Sequence, residues 1–411
     1  MVTANTSYPR NKIKVLLLEN ISDAAVKDLE AAGYTEIERI GGALSEDQLK
    51  NAVKGVHLLG IRSKTQITKS VIEAADKLLA IGAFCIGVNQ IDRAAATEKG
   101  IAVFNAPYSN TRSVAELVIG LCVILIRKIA DKNAAAHRGE WLKEAKGSFE
   151  LRGKTLGIIG YGNIGSQVSN LAEAMGMHVV YYDVATKLPH GNAKQIRELK
   201  DLLKQSHIVT LHVPSDASTK DLINAETIKA MRKGSILINH SRGDVADLGA
   251  VKKALKNGKL AGAAIDVFPE EPEKNGDIFS SVLQNMPNVI LTPHIGGSTE
   301  EAQANIGIDV TAKLIKYLDF GTSEGSHTVP PVSLPPQAAT HRILHIHKNI
   351  PGVLGEINSR LSERGINIAA QYLKTNDEIG YVILDVESKL SKEAFELLKT
   401  VQGTVKTRMV Y

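Results

Sequence analysis

Three residues able to do acid–base or anion-binding chemistry follow three hydrophobic runs in the second half of the chain. Arg242 follows SILINHS, Glu271 lies after GAAIDVF, and His294 ends VILTPH. A guanidinium can hold a carboxylate through two parallel hydrogen bonds, and a histidine beside a carboxylate is suited to accept a hydroxyl proton. Together the three predict oxidation of a 2-hydroxy acid: Arg242 binds the carboxylate, His294 takes the proton and Glu271 supports His294.

Each of these residues alone has a simpler interpretation. Most histidines are solvated or bonded to the backbone, Arg242 could form a surface salt bridge, and Glu271 could lie on a solvated loop. Position decides between the interpretations, because ligands of an open α/β sheet bind at the carboxyl ends of its strands. The chemical hypothesis therefore needs a sheet in which the three preceding strands share one edge.

Hydrophobic runs that alternate with helical patterns predict that sheet. The predicted strands are six, at residues 155–159, 178–182, 207–213, 235–241, 262–268 and 289–293. Six strands in this arrangement are typical of a Rossmann-type, doubly wound fold.

A glycine-rich turn at the start of this region predicts a dinucleotide site. Gly160, Gly162 and Gly165 follow the strand TLGII directly and open a helix, which is the context that gives GxGxxG its meaning. Asp183 ends the next strand, 18 residues past Gly165, where a carboxylate would bind a ribose 2′-hydroxyl and repel a 2′-phosphate. The pattern favours NAD over NADP; a simple glycine turn with a solvated aspartate is the alternative.

Two further α/β patterns flank this region. Strands at 13–18, HLLGIRS and LLAIGAFC alternate with helices up to about Ser109 and predict a parallel sheet. From about Thr340 the sequence pattern predicts a compact βαββαβ module. Between these regions we predict one long helical stretch over SVAELV to RGEW and a helix with a capping box at Ser298 and Glu301. A proline-rich linker ending in PPQAAT precedes the module.

Composition excludes several classes of protein. Lys and Arg exceed Asp and Glu by 49 − 44 = 5 with interspersed signs, which is not a nucleic-acid-binding pattern. The longest apolar run, LVIGLCVILI, is too short to span a bilayer, and the polar N-terminus does not resemble a signal peptide. Cys85 and Cys122 have no metal-ligand spacing. We expect a cytoplasmic protein without metal, nucleic-acid or membrane partners.

A basic cluster ends the strand HLLGIRS. Arg62, Ser63 and Lys64 supply two cations and a hydroxyl, and Asn110 adds a polar group near the end of the first unit. The cluster could hold a second anionic group of the substrate, such as a phosphate. A solvated basic turn is the alternative that spacing alone leaves open.

The ordered motifs GYGNIG, Asp183, HSRGD, DVFPEEP and LTPHIGG resemble the signature of the D-isomer-specific 2-hydroxyacid dehydrogenases. IRSKT, CIGVNQID and NAPYSNTRSVAE resemble the substrate-domain motifs of that family, and the tail resembles an ACT module. The resemblance implies a Rossmann-type cofactor domain (110–297) inserted in a flavodoxin-like substrate domain (1–109 and 298–338), followed by a ferredoxin-like ACT regulatory domain (339–411).

The resemblance also implies the residues that act. Arg242, Glu271 and His294 would be catalytic. Arg62, Ser63, Lys64 and Asn110 would bind substrate. NAD would contact residues of the glycine turn, the next strand end and the three catalytic strand ends: Gly160, Gly162, Asn163, Ile164, Gly165, Asp183, His240, Ser241, Arg242, Asp266, His294, Ile295, Gly296 and Gly297.

The ACT module makes the chain similar to the members of this family that oxidise 3-phospho-D-glycerate to 3-phosphooxypyruvate with NAD. The resemblance therefore implies this reaction, which is the first committed step of L-serine biosynthesis. L-serine would inhibit by binding His347 and Asn349, with Asn367 from the partner of a domain pair. The same resemblance implies a homotetramer, with Trp141 and Lys143 in a segment that reaches a neighbour. Lys64, where relatives often carry arginine, and a linker without a glycine pair are departures from the family pattern.

Two alternatives stay open on the sequence. Another anionic 2-hydroxy or 2-oxo acid, such as 2-oxoglutarate, would also offer two anions to Arg242 and Arg62. A different class of protein, a non-catalytic NAD-sensing binding protein, shares the fold and the Arg, Glu and His set.

Overall fold

A computed structural model describes residues 8–272, 276–335 and 340–411 of the chain. The chain forms two compact units: Asn110–Ala302 is one, and Met1–Ser109 together with Gln303–Tyr411 is the other. Residues 336–339 of the predicted linker lie outside the described residues.

The first sheet belongs to the discontinuous unit. Its five strands are β1 (Lys14–Leu18), β2 (Glu36–Ile40), β3 (Leu58–Ile61), β4 (Ala80–Ala83) and β5 (Ala102–Asn105). All pairs are parallel, in the order β2-β1-β3-β4-β5, which is the flavodoxin-like order. The helices beside it are α1 (Asp23–Ala31), α2 (Glu46–Ala52), α3 (Lys69–Ala74) and α4 (Arg93–Glu98).

Two of these strands were not in the sequence prediction. Strand β2, EIERI, lies at the sheet edge with every residue at least partly exposed, so its polar composition hid it. Strand β5, AVFN, is only four residues long, although all four are buried. The central strands β3 and β4 are buried throughout, which explains their continuous hydrophobic runs.

The second unit carries a larger parallel sheet. Its strands are β6 (Thr155–Ile159), β7 (His178–Tyr182), β8 (Lys194–Gln195), β9 (Ile208–Leu211), β10 (Ser235–Asn239), β11 (Leu260–Ile265) and β12 (Val289–Leu291). Their order is β12-β11-β10-β9-β6-β7-β8, with the doubly wound reversal between β6 and β9. The predicted fold class is confirmed. The sheet has seven strands where six were predicted; the additional strand is β8, which lies at the sheet edge and has only two residues, so it gives almost no sequence signal.

The helices of this unit differ from the prediction at one place. They are α5 (Thr111–Ile126), α6 (Ile129–His137), α7 (Asn163–Ala174), α8 (Leu199–Gln205), α9 (Ala225–Ala230) and α10 (Leu248–Lys256). The single long helical stretch predicted from SVAELV onward is wrong, since Lys128 adopts φ +53° and separates α5 from α6. A left-handed residue cannot continue a right-handed helix.

Helix α11 (Glu300–Phe320) follows the last strand of this sheet. The hydroxyl of Thr299 accepts a hydrogen bond from the Ala302 backbone N–H at 3.1 Å. The N-cap hydroxyl is therefore that of Thr299 and not that of the predicted Ser298, and the bond is a single N-cap bond, because Ala302 has no side chain that could complete a capping box.

The C-terminal module is an antiparallel sheet with two helices. It consists of β13 (Thr340–Lys348), α12 (Val353–Glu363), β14 (Ile368–Thr375), β15 (Ile379–Glu387), α13 (Ser391–Lys399) and β16 (Thr404–Val410). The strand order β14-β15-β13-β16 is that of a ferredoxin-like βαββαβ fold, as predicted.

This module is joined to the end of α11 by polar contacts. Arg342 donates to the Phe320 carbonyl at 3.1 Å, and the Tyr381 hydroxyl donates to the Gly321 carbonyl at 2.7 Å. Arg408 donates to the carbonyl of Tyr317 at 2.6 Å. The last carbonyls of a helix have no partner within it, so Arg342 satisfies the open Phe320 carbonyl, while Tyr381 bonds Gly321 just after the helix and Arg408 shares the Tyr317 carbonyl with the Gly321 N–H.

No helix in the described part of the chain combines the length and apolarity that crossing a bilayer requires.

Candidate active site

The centre of the candidate site is a histidine–carboxylate contact. His294 Nδ1 lies 2.8 Å from Glu271 Oε2, while Glu271 Oε1 accepts the Phe268 backbone N–H at 3.0 Å. The hydrogen bond that His294 donates to Glu271 raises the pKa of His294, and the same bond helps to hold the pKa of Glu271 below its usual value despite partial burial. Nδ1 is thus engaged, which leaves Nε2 to meet a substrate.

Asp266 builds the turn that carries His294. Its carboxylate accepts hydrogen bonds from Thr292 Oγ1 at 2.6 Å and from the backbone N–H groups of Ile295 and Gly296 at 2.9 and 2.8 Å. The Asp266 carbonyl also accepts from the His294 N–H at 2.8 Å. His294 itself has φ +53°, an uncommon conformation for a residue other than glycine, and these four bonds hold it there.

We expect Glu271→Gln to move the pH profile of oxidation. His294 must be uncharged to accept a proton, so activity falls as the pH drops through its pKa. Removing the carboxylate charge lowers that pKa, and the acidic limb of kcat/KM then moves to lower pH, with a lower plateau because the imidazole is less well oriented. Initial rates of NADH formation, measured over a range of pH, give the pKa of the acidic limb of the kcat/KM profile.

Glu270→Gln is the matched control, because Glu270 is the exposed carboxylate one residue away. An unchanged limb in Glu271→Gln, or an equal shift in both variants, would contradict the pairing of Glu271 with His294.

Arg242 lies at the end of the neighbouring strand β10, and its Nη1 donates to the Ser241 carbonyl at 2.7 Å. Its positive charge offsets a small part of the rise in the pKa of His294 that Glu271 causes. A Cβ at Gly243 would meet the Phe268 backbone at 2.0 Å, so only glycine lets the loop after β10 approach the loop after β11. The three predicted catalytic residues are therefore brought to one edge of the sheet.

The glycine turn after β6 has the close backbone approaches that a dinucleotide site needs. Gly160 has φ +90°, and a Cβ there would meet the His212 carbonyl oxygen at 2.3 Å. A Cβ at Gly165 would meet the Gly160 carbonyl oxygen at 2.2 Å. Gly162 directly precedes α7, whose first residues are Asn163 and Ile164, so free N–H groups of the helix N-terminus are available to a pyrophosphate.

A second feature of this edge also fits a bound cofactor. The side chain of His240 is 1% exposed, its Nδ1 is 3.4 Å from Asp266 Oδ2, and neither ring nitrogen makes a hydrogen bond within the described residues. Unpaired buried polar atoms are costly, and a polar ligand beside Asp266 and Gly296 would remove that cost. The residues present therefore fit NAD, with Ser241 and the His294–Gly297 turn beside it.

Asp183 lies at the end of β7 next to the glycine turn. Its Oδ2 accepts the Tyr161 backbone N–H at 2.8 Å and its Oδ1 accepts the Ala185 N–H at 2.9 Å. These bonds place a carboxylate beside the first turn of the dinucleotide motif, where the ribose hydroxyls of NAD would lie.

Replacing Asp183 with Asn should relax the choice between NAD and NADP. The amide keeps an acceptor for the Tyr161 N–H but removes the charge that repels a 2′-phosphate. We expect the ratio of kcat/KM for NAD to that for NADP to fall by a factor on the order of 10 to 100, the size of a hydrogen bond to a charged group. The exposed Asp201→Asn on α8 is the control, and an unchanged ratio in Asp183→Asn would contradict the assignment.

The predicted substrate residues lie at two places. Arg62, Ser63 and Lys64 follow β3, and the N–H groups of Arg62 and Lys64 each donate to the Glu19 carboxylate at 3.1 Å. Glu19, at the end of the adjacent strand β1, was not singled out in the sequence, although its position after a buried strand was a usable signal. It holds the backbone of the basic turn, and its carbonyl accepts a hydrogen bond from Arg62 Nη1 at 3.3 Å. The other N–H groups of Arg62 and the ammonium of Lys64 are then the donors that an anion could meet.

Asn110 belongs to the other unit and precedes α5. It is buried, its Oδ1 has no hydrogen-bond partner within the described residues, and a Cβ on Gly297 would meet its Nδ2 at 2.0 Å. The structure therefore places Asn110 against the turn that carries His294.

The three predicted effector residues do not meet within one chain. His347 is buried at the end of β13 and its Nδ1 contacts the Lys348 carbonyl at 2.7 Å, while Asn349 follows and donates to the Asn376 carbonyl. His347 pairs with Gly380 on β15, whereas Ile368, next to Asn367, pairs with Val386. Gly380 and Val386 are six residues apart on β15, so the position of His347 and that of Asn367 are separated by about 20 Å along the strand.

Fold and site together define an NAD-binding α/β dehydrogenase with an added C-terminal domain. Residues 119–296 match the model of the D-isomer-specific 2-hydroxyacid dehydrogenase NAD-binding domain, and residues 343–406 match an AHAS small subunit-like ACT domain. The chain belongs to the family of D-isomer-specific 2-hydroxyacid dehydrogenases, and NAD is its cofactor.

Full-length relatives support the same assignment. The D-3-phosphoglycerate dehydrogenase of Escherichia coli strain K12 is 53% identical over 99% of this chain and 100% of its own length, and that of Dictyostelium discoideum is 50% identical over 99% of each. The crystal structure of D-lactate dehydrogenase from Aquifex aeolicus, complexed with NAD and lactic acid, is 26% identical with a TM-score of 0.65 and covers 77% of this chain and 100% of that one.

Proposed function

We propose that this protein oxidises 3-phospho-D-glycerate to 3-phosphooxypyruvate with NAD, the first committed step of L-serine biosynthesis, in the cytoplasm. The observation that carries the proposal is the 2.8 Å contact between His294 and Glu271, on a turn anchored by Asp266 in an NAD-binding domain. The specific substrate is supported by the full-length relatives, which are named D-3-phosphoglycerate dehydrogenase.

In the proposed reaction each residue of the site has a separate role. Bound NAD supplies the two-electron acceptor. Arg242 binds the substrate carboxylate and fixes the reacting carbon, and His294 takes the hydroxyl proton at Nε2 while Glu271 stabilises the resulting imidazolium through Nδ1. Gly160, Gly162 and Gly165 with the start of α7 hold the pyrophosphate, and Asp183 selects the unphosphorylated ribose.

The phosphate of the substrate is the ligand we assign to Arg62, Ser63 and Lys64, with Asn110 as a further polar contact. The turn is pre-formed by Glu19, so an anion meets cations whose backbone is already ordered. A dicarboxylic 2-oxo acid such as 2-oxoglutarate has two anions at a similar spacing and is the second candidate substrate.

Regulation by L-serine is proposed for the ACT module. His347 and Asn349 would bind the amino acid together with the partner subunit's Asn367, since the register of the sheet separates these positions within one chain. This requires at least a dimer, and we propose a homotetramer built from ACT and cofactor-domain pairs. Trp141 is 84% exposed and, with Lys143, is proposed to contact a neighbouring subunit.

We also propose three functional domains. Residues 1–109 with 298–338 would bind substrate, 110–297 would bind NAD, and 339–411 would be regulatory.

A substrate panel tests the function. NADH formation is followed with 3-phospho-D-glycerate, with D-lactate and without substrate, and NADH consumption with 2-oxoglutarate, each with and without L-serine. We expect turnover of 3-phospho-D-glycerate that serine lowers. No turnover of any acid, with intact NAD binding, would favour the non-catalytic NAD-sensing alternative; indifference to serine would remove the regulatory part.

A further inference from the structure

A cavity of about 290 Å³ lies in the discontinuous unit, away from the residues assigned to catalysis, cofactor and serine. One side comes from the flavodoxin-like part, including Ile13 and Leu79, and the other from the ACT strand β16, including Arg408 and Val410. Leu318, in the last turn of α11, closes it. The walls are mainly apolar, and the volume is at the lower end of small-molecule sites.

Asp319 is the one carboxylate among the described residues that line this cavity, and its oxygens already accept three hydrogen bonds. Asp319 accepts two hydrogen bonds from Arg10, at 3.2 and 2.8 Å, and one from the Tyr34 hydroxyl at 2.6 Å. Arg10 and Asp319 therefore neutralise one another. Among the described lining residues, no unpaired carboxylate remains to receive an ammonium group of a ligand.

Two cations at the cavity have no such partner. The ion pairs of the described residues include none for Lys77 or Arg408, and Arg408 instead donates to the neutral carbonyl of Tyr317 and lies over the Tyr317 ring at 4.9 Å. His57 adds no compensating charge, since its Nδ1 accepts the Lys14 N–H and burial lowers the pKa of its imidazole. Asp76, next to Lys77 in the chain, and Asp319, which also interacts with Arg408, offset part of this charge. The three cations Arg10, Lys77 and Arg408 still exceed these two carboxylates by one, so the cavity has an excess of positive charge beside apolar walls.

We propose that this cavity is a second ligand site, which binds a short branched-chain carboxylate that carries no ammonium group. The carboxylate would lie between Lys77 and Arg408, and the branched chain would pack on Ile13, Leu79 and Leu318. Because Arg408 also bonds the end of α11, a ligand there contacts both the ACT module and the part of the chain on which it rests. The site is independent of the reaction proposed above.

The test is calorimetric titration of the full-length protein with 4-methylpentanoate, which lacks the 2-hydroxy or 2-oxo group of a substrate. We expect a dissociation constant on the order of 0.1–1 mM, ordinary for a ligand of eight heavy atoms. 4-Methylpentan-1-ol, without the charge, and L-leucine, with the ammonium group, should each bind at least about tenfold more weakly. Equal binding of the three, or no heat up to about 10 mM carboxylate, overturns the proposal.

Three variants locate the binding. Leu79→Trp should abolish it by filling the cavity, and Lys77→Ala should weaken it by about twofold to fivefold. Arg242→Ala, in the proposed catalytic site, should leave it unchanged. Binding that is lost in Arg242→Ala, or unaffected by Lys77→Ala, contradicts the site; if Leu79→Trp does not fold, the exposed Lys77 variant decides.

Discussion

Replacing His294 with alanine should lower kcat for oxidation by a factor of about 10²–10⁴, with a much smaller change in affinity for NAD. In the proposed mechanism the imidazole accepts the proton, and the 2.8 Å contact between its Nδ1 and Glu271 leaves Nε2 for the substrate. The turn itself is anchored by Asp266 through the Ile295 and Gly296 N–H groups, so loss of the side chain leaves the backbone in place. Steady-state kinetics at saturating NAD measure the effect.

His178→Ala is the control, since His178 is an exposed histidine at the start of β7 in the same unit. It should keep near-normal turnover. Near-normal turnover in His294→Ala would show that another group accepts the proton.

Replacing Asp385 with alanine should destabilise the ACT module by about 3–5 kcal/mol. Arg342, 1% exposed, binds Asp385 through two 2.7 Å hydrogen bonds on neighbouring strands and also donates to the Phe320 and Pro335 carbonyls. Without Asp385 the guanidinium remains buried and unpaired. We expect a lower urea midpoint for the unfolding of the module, and weaker inhibition by serine because the contact with α11 loosens.

Glu393→Ala is the matched comparison, because it breaks the exposed Arg364–Glu393 pair at 3.3 Å. An exposed pair contributes about 0–1 kcal/mol, so this variant should unfold near the wild-type midpoint. Equal midpoints for both variants would contradict a stabilising role of the buried Arg342–Asp385 pair within the module.

Much of the fold is readable from the sequence, because buried parallel strands are continuous hydrophobic runs. LLGI and SILIN are buried at every position and were predicted. The misses have physical causes: β2 is an exposed edge strand, β8 has two residues, and the break at Lys128 depends on a single left-handed residue in a helical pattern. None of these leaves a periodic signal.

The candidate site was also predictable in part, because ligand-binding residues of an α/β sheet lie at the carboxyl ends of its strands. Arg242, Glu271 and His294 were predictable because their type and their position after hydrophobic runs agree. The partners of side chains in the other unit were not predictable, since Glu19 bonds residues 43 to 46 positions away and Asp319 pairs with Arg10 across 309 positions; only the placement of Glu19 after a buried strand gave a signal. Such contacts exist only once the sheets have formed.

The most direct test of the proposed function compares 3-phospho-D-glycerate with D-glycerate, which differs from it only by lacking the phosphate. Arg242 and His294 meet the same groups in both, so the difference reports the anion site at Arg62, Ser63 and Lys64. We predict that kcat/KM for NADH formation is higher for 3-phospho-D-glycerate by a factor on the order of 10² or more. Equal values for the two acids, or no NADH from either, would contradict the function proposed for this protein.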